Sequence, residues 1–152
     1  MARPCGFRRD PVRERVERGG GHELAPRWGM QDARQSLGHA GEDAACAELR
    51  RRGYTIVARR YRTRAGEIDI VARDGRTLVF VEVKARSGPA FGSGLEAVTP
   101  RKQAQVRKMA TDYLWRSGLG EAACRFEVAA VTLDRQRRPA RVELVSDGFE
   151  RR

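Results

Sequence analysis

Residues 66–86 read GEIDIVARDGRTLVFVEVKAR, and they set Glu67, Asp69, Glu82 and Lys84 among β-branched and aromatic residues. The period of two in both halves marks a pair of strands. Asp74-Gly75 between them is a hairpin signal, because a tight primed turn asks for positive φ. A turn centred there pairs Val71 with Leu78, Asp69 with Phe80 and Glu67 with Glu82. One face then carries Glu67, Asp69, Val71, Leu78, Phe80, Glu82 and Lys84, and the other carries Ile68, Ile70, Val79, Val81 and Val83. Asp69 and Glu82 become diagonal neighbours about 7–8 Å apart at the backbone, a spacing from which two carboxylates reach one ion. Charges on an otherwise apolar, covered strand are costly unless they are paired or bind metal. The expected chemistry is therefore a cation held by Asp69 and Glu82, with the point charge of Lys84 beside it.

Other elements must hold that hairpin in place. Ser36 is a candidate N-cap, and Glu42, Ala45, Cys46 and Leu49 follow at i, i+3, i+4 and i+7, one face of a helix that Gly53 ends. Glu42 has two readings: a first-turn acid complementing the helix dipole, or a site acid turned toward the sheet. A first strand begins at residues 54–57, and Arg59, Arg60, Arg62 and Arg64 lead from it into Gly66, bordering the acids with groups suited to a phosphate backbone. Residues 87–97 form a glycine- and serine-rich loop. A second helix is capped by Thr99 with Pro100 at its first position, and Val106, Met109, Ala110, Tyr113 and Leu114 make its buried stripe. Lys102 stands at its N-terminus, where an anion is favoured. Two more strands, residues 126–133 and 142–145, complete an α/β domain with the order α-β-β-β-α-β-β.

The chain has 31 basic and 20 acidic residues among 152, a net charge of +11, which points to a polyanionic partner and above all nucleic acid. Only Lys84, Lys102 and Lys108 among the basic residues are lysines, so a lysine at position 84 stands out in an arginine-rich chain. Cys5, Cys46 and Cys124 show no metal-ligand spacing and fit a reducing cytoplasm. No stretch has the length and apolarity of a signal core or a membrane span. Residues 1–35 are Arg- and Gly-rich and are expected to be a disordered tail ahead of a domain at 36–150, with Met30 an alternative start.

The ordered series Gly41-Glu42, Arg52-Gly53-Tyr54, Gly66-Glu67-Ile68-Asp69, Phe80-Val81-Glu82-Val83-Lys84-Ala85-Arg86, Thr99-Pro100-Arg101-Lys102 and Arg125-Phe126 resembles the YraN family of bacterial proteins. That family is similar in turn to Holliday-junction resolvases and the PD-(D/E)xK nucleases. The resemblance implies a restriction-endonuclease-like core, a mixed sheet flanked by helices. It implies an Mg²⁺- or Mn²⁺-dependent endonuclease with Asp69, Glu82, Lys84 and Glu42 as catalytic residues, the three acids among them holding metal. Arg62, Arg64, Arg86 and Lys102 would meet nucleic acid, expected to be branched or structured DNA, and a homodimer follows by analogy. Two positions depart from the family pattern: Arg60 stands where asparagine is expected, and Glu127 where aspartate is usual. Two alternatives stay open, a protein of the same fold that binds nucleic acid without cutting it, and an interaction module whose basic surface meets an acidic protein.

Overall fold

The computed structural model describes residues 31–88 and 98–146, with backbone only at 31–34. Residues 1–30 of the tail expected over 1–35, and most of the glycine- and serine-rich loop, lie outside the described residues; residues 31–35 are part of a helix. The elements are α1 (Gln31–Arg51), β1 (Thr55–Thr63), β2 (Gly66–Asp74), β3 (Thr77–Ser87), α2 (Pro100–Arg116), β4 (Cys124–Leu133) and β5 (Pro139–Ser146). The expected order α-β-β-β-α-β-β is the one observed. The strands form one mixed sheet in the order β1-β2-β3-β4-β5, in which only β3 and β4 run parallel. A parallel pair needs a long crossover, and α2 supplies it.

The helices cover opposite faces. Ala44, Ala45, Cys46 and Leu49 of α1 pack on Ile70, Ala72, Val79, Val81, Ala129 and Val131. On the other side Val106, Met109, Ala110, Tyr113 and Leu114 of α2 pack on Ile68, Val71, Leu78, Phe80 and Val128. β3, covered on both faces, is apolar on both until Glu82. Local signals place the ends of the elements. Thr99 caps α2, its hydroxyl accepting from the Lys102 amide at 3.2 Å. Gly53, at φ +92°, closes α1 in a Schellman motif: Gly53 N–H donates to Arg50 O and Tyr54 N–H to Leu49 O. Ser36 is not the N-cap, because α1 begins five residues earlier at Gln31 and runs through Asp32, Ala33, Arg34 and Gln35, none of which breaks a helix.

The hairpin register differs from the one expected. Asp74 pairs with Thr77 and Val71 with Phe80, so Gly75 and Arg76 form the turn and the register moves by two residues. Gly75 takes φ +59° while Asp74 and Arg76 stay at negative φ, the pattern of a type II′ turn with glycine at its first central position. A shift of two preserves the faces of β3. It also brings Asp69 directly opposite Glu82 when the ladder, whose last pair is Ile70 with Val81, is continued by one residue.

α1 reaches β3 through a glycine. A Cβ at Gly41 would stand 2.5 Å from the Ala85 Cβ, an atom fixed to the strand backbone. Gly41→Ala is thus expected to push α1 off the sheet and cost about 1–3 kcal/mol. Thermal denaturation reads this, and an unchanged melting temperature would contradict the close approach of α1 to β3.

Candidate metal centre

The site lies where β2 separates from β3. A regular strand would place Ile68 and Ile70 on one face, as the sequence reading expects, yet Ile68 faces α2 and Ile70 faces α1. The alternation switches at Asp69. Opposite it, Arg60 of β1 has φ +52°, between the regular pairs Arg59–Ile70 and Tyr61–Ile68. A left-handed conformation is costly for a long side chain and is far better tolerated by asparagine, the residue expected at this position from the family pattern. The conformation has a consequence. Arg59 and Arg60, which would point to opposite faces in a straight strand, both reach Glu42 on α1: Arg60 Nε donates to Glu42 Oε2 at 2.6 Å, and Arg59 Nη2 lies 3.6 Å from the same oxygen.

A cleft of about 280 Å³ is lined by Leu37, Gly38 and Glu42 of α1, Asp69 of β2, and Glu82, Val83 and Ala85 of β3. Glu42 lies well inside α1, which starts at Gln31, so it is not a first-turn acid; it is buried and lines the cleft. Asp69 Oδ2 accepts from the Val83 amide at 2.8 Å, taking an N–H beyond the last paired residues of the β2–β3 ladder. Burial, and next the Glu82 carboxylate, push the Asp69 carboxyl up to about 7 against the opposing pull of that amide. Glu82 keeps the parity of Leu78 and Phe80 and so comes from the α2 side, while Glu42 comes from the α1 side. Glu82 Oε1 lies 3.5 Å from Lys102 Nζ, but its buried Oε2 has no hydrogen-bond donor among the described residues. A buried carboxylate oxygen in that state is a strong acceptor; Glu127 Oε2 is in the same state, and what distinguishes Glu82 is its place in the cleft with Asp69 and Glu42.

Glu42, Glu67 and Asp69 each offer an oxygen within 4.8 Å of the others, so this acidic cluster could hold a metal ion. Glu67 was not singled out as a ligand from the sequence, although its i, i+2 spacing from Asp69 was the available signal. It is more exposed and already pairs with Arg62, whereas Glu82 is more deeply buried and carries the unpartnered oxygen. Glu82 is not one of the three acids that meet this distance, but it lines the same cleft as Asp69 and Glu42.

The basic residues are distributed differently from expectation. Lys84 is half-buried on β3 and does not line the cleft; no ion pair holds it among the described residues. The lysine that reaches the acids is Lys102, from the first turn of α2, so it serves as a counter-ion to Glu82. Arg62 pairs with Glu67, Arg64 is exposed in the β1–β2 turn, and Arg86 is half-buried near the end of β3. The second unusual position, Glu127, is remote in role. It is fully buried and accepts from Tyr54 Oη at 3.2 Å and Arg125 Nε at 2.9 Å, while Arg125 also donates to Asp74 Oδ2 at 2.8 Å. These bonds fasten the segment after α1 to the sheet.

A mixed sheet that opens around a buried carboxylate cluster, with a helix on each face, is the structural class in hand. The sequence pattern of Uncharacterised protein family UPF0102 matches residues 41–131, and the chain belongs to this family, the YraN family of the motif resemblance. It is 47% identical over 120 residues to a UPF0102 protein of Moorella thermoacetica, an alignment that covers 79% of this chain and 100% of the relative. A UPF0102 protein of Geobacter sulfurreducens is 48% identical over 114 residues, covering 75% of this chain and 88% of the relative. One from Pelotomaculum thermopropionicum is 43% identical over 120 residues, with 79% and 100% covered. Among the described residues no helix is long and apolar enough to cross a membrane.

Proposed function

We propose that the protein is a metal-dependent nuclease that hydrolyses phosphodiester bonds, with branched or structured DNA as its substrate class. The observation that carries this reading is the orphaned, buried Oε2 of Glu82 in a cleft shared with Asp69 and Glu42, on a chain of net charge +11. Oxygen-only donors suit a hard ion such as Mg²⁺ or Mn²⁺. Asp69, Glu82 and Glu42 would hold it. When bound, such an ion supplies Lewis-acid polarisation of the phosphate and of the attacking water.

The chain's own residues do the rest. The Val83 amide fixes the Asp69 carboxylate in one orientation. Lys102 sets a positive charge beside Glu82 at the end of the cleft, where a phosphate can meet it. Lys84, with no ion pair among the described residues, supplies positive charge where the phosphate becomes more negative. Arg62, Arg64 and Arg86 are the residues proposed to meet the nucleic-acid backbone. The position of Lys84 outside the cleft lining favours the second reading, a protein that binds nucleic acid of this kind without cutting it. A homodimer remains the assembly proposed by analogy with resolvases.

Pure protein incubated with linear, flapped and four-way DNA in Mg²⁺, Mn²⁺ or EDTA tests the proposal. Cleavage in metal but not in EDTA is expected. No cleavage of any substrate, together with no rise of melting temperature in either metal, overturns it.

Arg60 offers a sharper test of the donor set. Its guanidinium competes with an ion for Glu42. Arg60→Asn places a residue better suited to the left-handed backbone and removes the closer of the two guanidiniums on that carboxylate, leaving Arg59. Mg²⁺ affinity is expected to rise roughly tenfold, the scale of one charge-assisted hydrogen bond of about 1.5 kcal/mol. Titration calorimetry measures it, and unchanged affinity removes Glu42 from the donor set.

A further inference from the structure

The outer face of α2 carries a pattern that the cleft does not use. Val106, Met109, Ala110 and Tyr113 bury one side of the helix. On the opposite side Arg101, Ala104, Lys108, Thr111 and Trp115 are all exposed. They recur at steps of three and four residues, so they form one stripe about 21 Å long. Trp115 is 81% exposed at its far end. Arg101 and Lys108 have no ion-pair partner among the described residues, and the helix's one acid, Asp112, is committed to Tyr61 and Arg116. Ala104 between the cations and Thr111 between Lys108 and Trp115 are small and leave room for a chain to lie along the helix. The stripe begins in the same helical turn as Lys102, whose Nζ lies 3.5 Å from Glu82 Oε1.

We infer that this face is a docking lane for an unpaired nucleic-acid strand, with backbone phosphates on Arg101 and Lys108 and a base stacked on Trp115. This rests on the nuclease reading and narrows its substrate class to nucleic acid with a single-stranded segment. A cationic track with an aromatic ring is the combination that single strands require, because only an unstacked base offers its face to an indole. A paired duplex would satisfy the cations and leave Trp115 without a partner. An acidic protein would likewise use the charges without requiring the ring.

The test uses full-length protein carrying Trp28→Phe, which leaves Trp115 as the only tryptophan. In EDTA, titration with a single-stranded or flapped oligonucleotide should quench Trp115 emission, and a blunt duplex should quench it far less. Trp115→Ala should weaken single-strand binding by about tenfold, within the range for one stacked base. Lys108→Gln and Arg101→Gln should each lower the log–log salt slope by about 0.7, one phosphate contact on a single strand. Arg135→Gln, which removes the same charge from the β4–β5 turn, should change the slope less. Oligonucleotide binding that leaves Trp115 emission unmoved, or Trp115→Ala protein that binds like the parent, overturns the inference. So does an emission change that follows protein concentration and a sedimenting dimer rather than added nucleic acid. If metal-dependent cleavage persists in any of those cases, the lane is wrong and the nuclease reading stands. If Trp115 reports binding but no metal supports cleavage, the lane stands and the nuclease reading falls.

Discussion

Replacing Asp69 with alanine is expected to abolish metal-dependent cleavage while leaving nucleic-acid binding intact or tighter. The carboxylate is central to the cleft: it faces Glu82 across the strands, lies near Glu42 and is held by the Val83 amide. Its loss removes a metal donor and a negative charge at once. The first stops the chemistry, and the second lessens repulsion of phosphate. Lys84→Ala should cost roughly 10²–10⁴ in rate with only a slight loss of affinity, the scale of one charge-stabilising or proton-transferring group. Single-turnover cleavage and binding, measured on the same substrate, separate the two effects. Undiminished cleavage by the Asp69 variant would show that the centre lies elsewhere. Undiminished cleavage by the Lys84 variant would leave that role to Lys102, the lysine already at the acids.

In metal-free buffer, stability should fall as pH rises from about 4 to about 7, and Asp69 should be a main cause. Burial and Glu82 push its carboxyl up to about 7 in the folded protein. In the unfolded chain it titrates near 4. Between those values the folded state holds a proton that the unfolded state has released, so each increase in pH favours unfolding. Below the window the contribution is fully present, and above it the contribution is lost. A shift of about three units corresponds to about 4 kcal/mol at most. Asp69→Asn keeps an oxygen for the Val83 amide and cannot ionise. The variant should therefore lack this slope and be the more stable protein above pH 7 without metal. Saturating Mg²⁺ should raise the melting temperature of the parent above pH 7 and leave the variant unmoved. Parallel pH–stability curves for the two proteins would show that Asp69 ionises normally.

Much of the architecture was legible in the chain because it depends on residues close in sequence. The stripe from Val106 to Leu114, the Thr99-Pro100 start of α2, the Gly53 stop of α1 and the seven-element order all follow from periodicity and capping. The presence of acids on the central hairpin, and of Glu42 on the buried side of α1, was legible for the same reason. Their mutual arrangement was not. The hairpin could turn at Asp74-Gly75 or at Gly75-Arg76, and only the cross-strand packing of Val71 on Phe80 distinguishes registers two residues apart. The face switch at Asp69 and the left-handed Arg60 are a cooperative distortion of two strands, to which neither sequence alone commits. Partners distant in sequence also waited on the fold: Arg60 on Glu42, Lys102 rather than Lys84 on Glu82, Tyr54 on Glu127. The sequence by itself determined which elements form and which charges they carry, because propensity and periodicity act within a few residues. The tertiary structure decided which charges meet, because an ion pair depends on the packing of whole elements against each other.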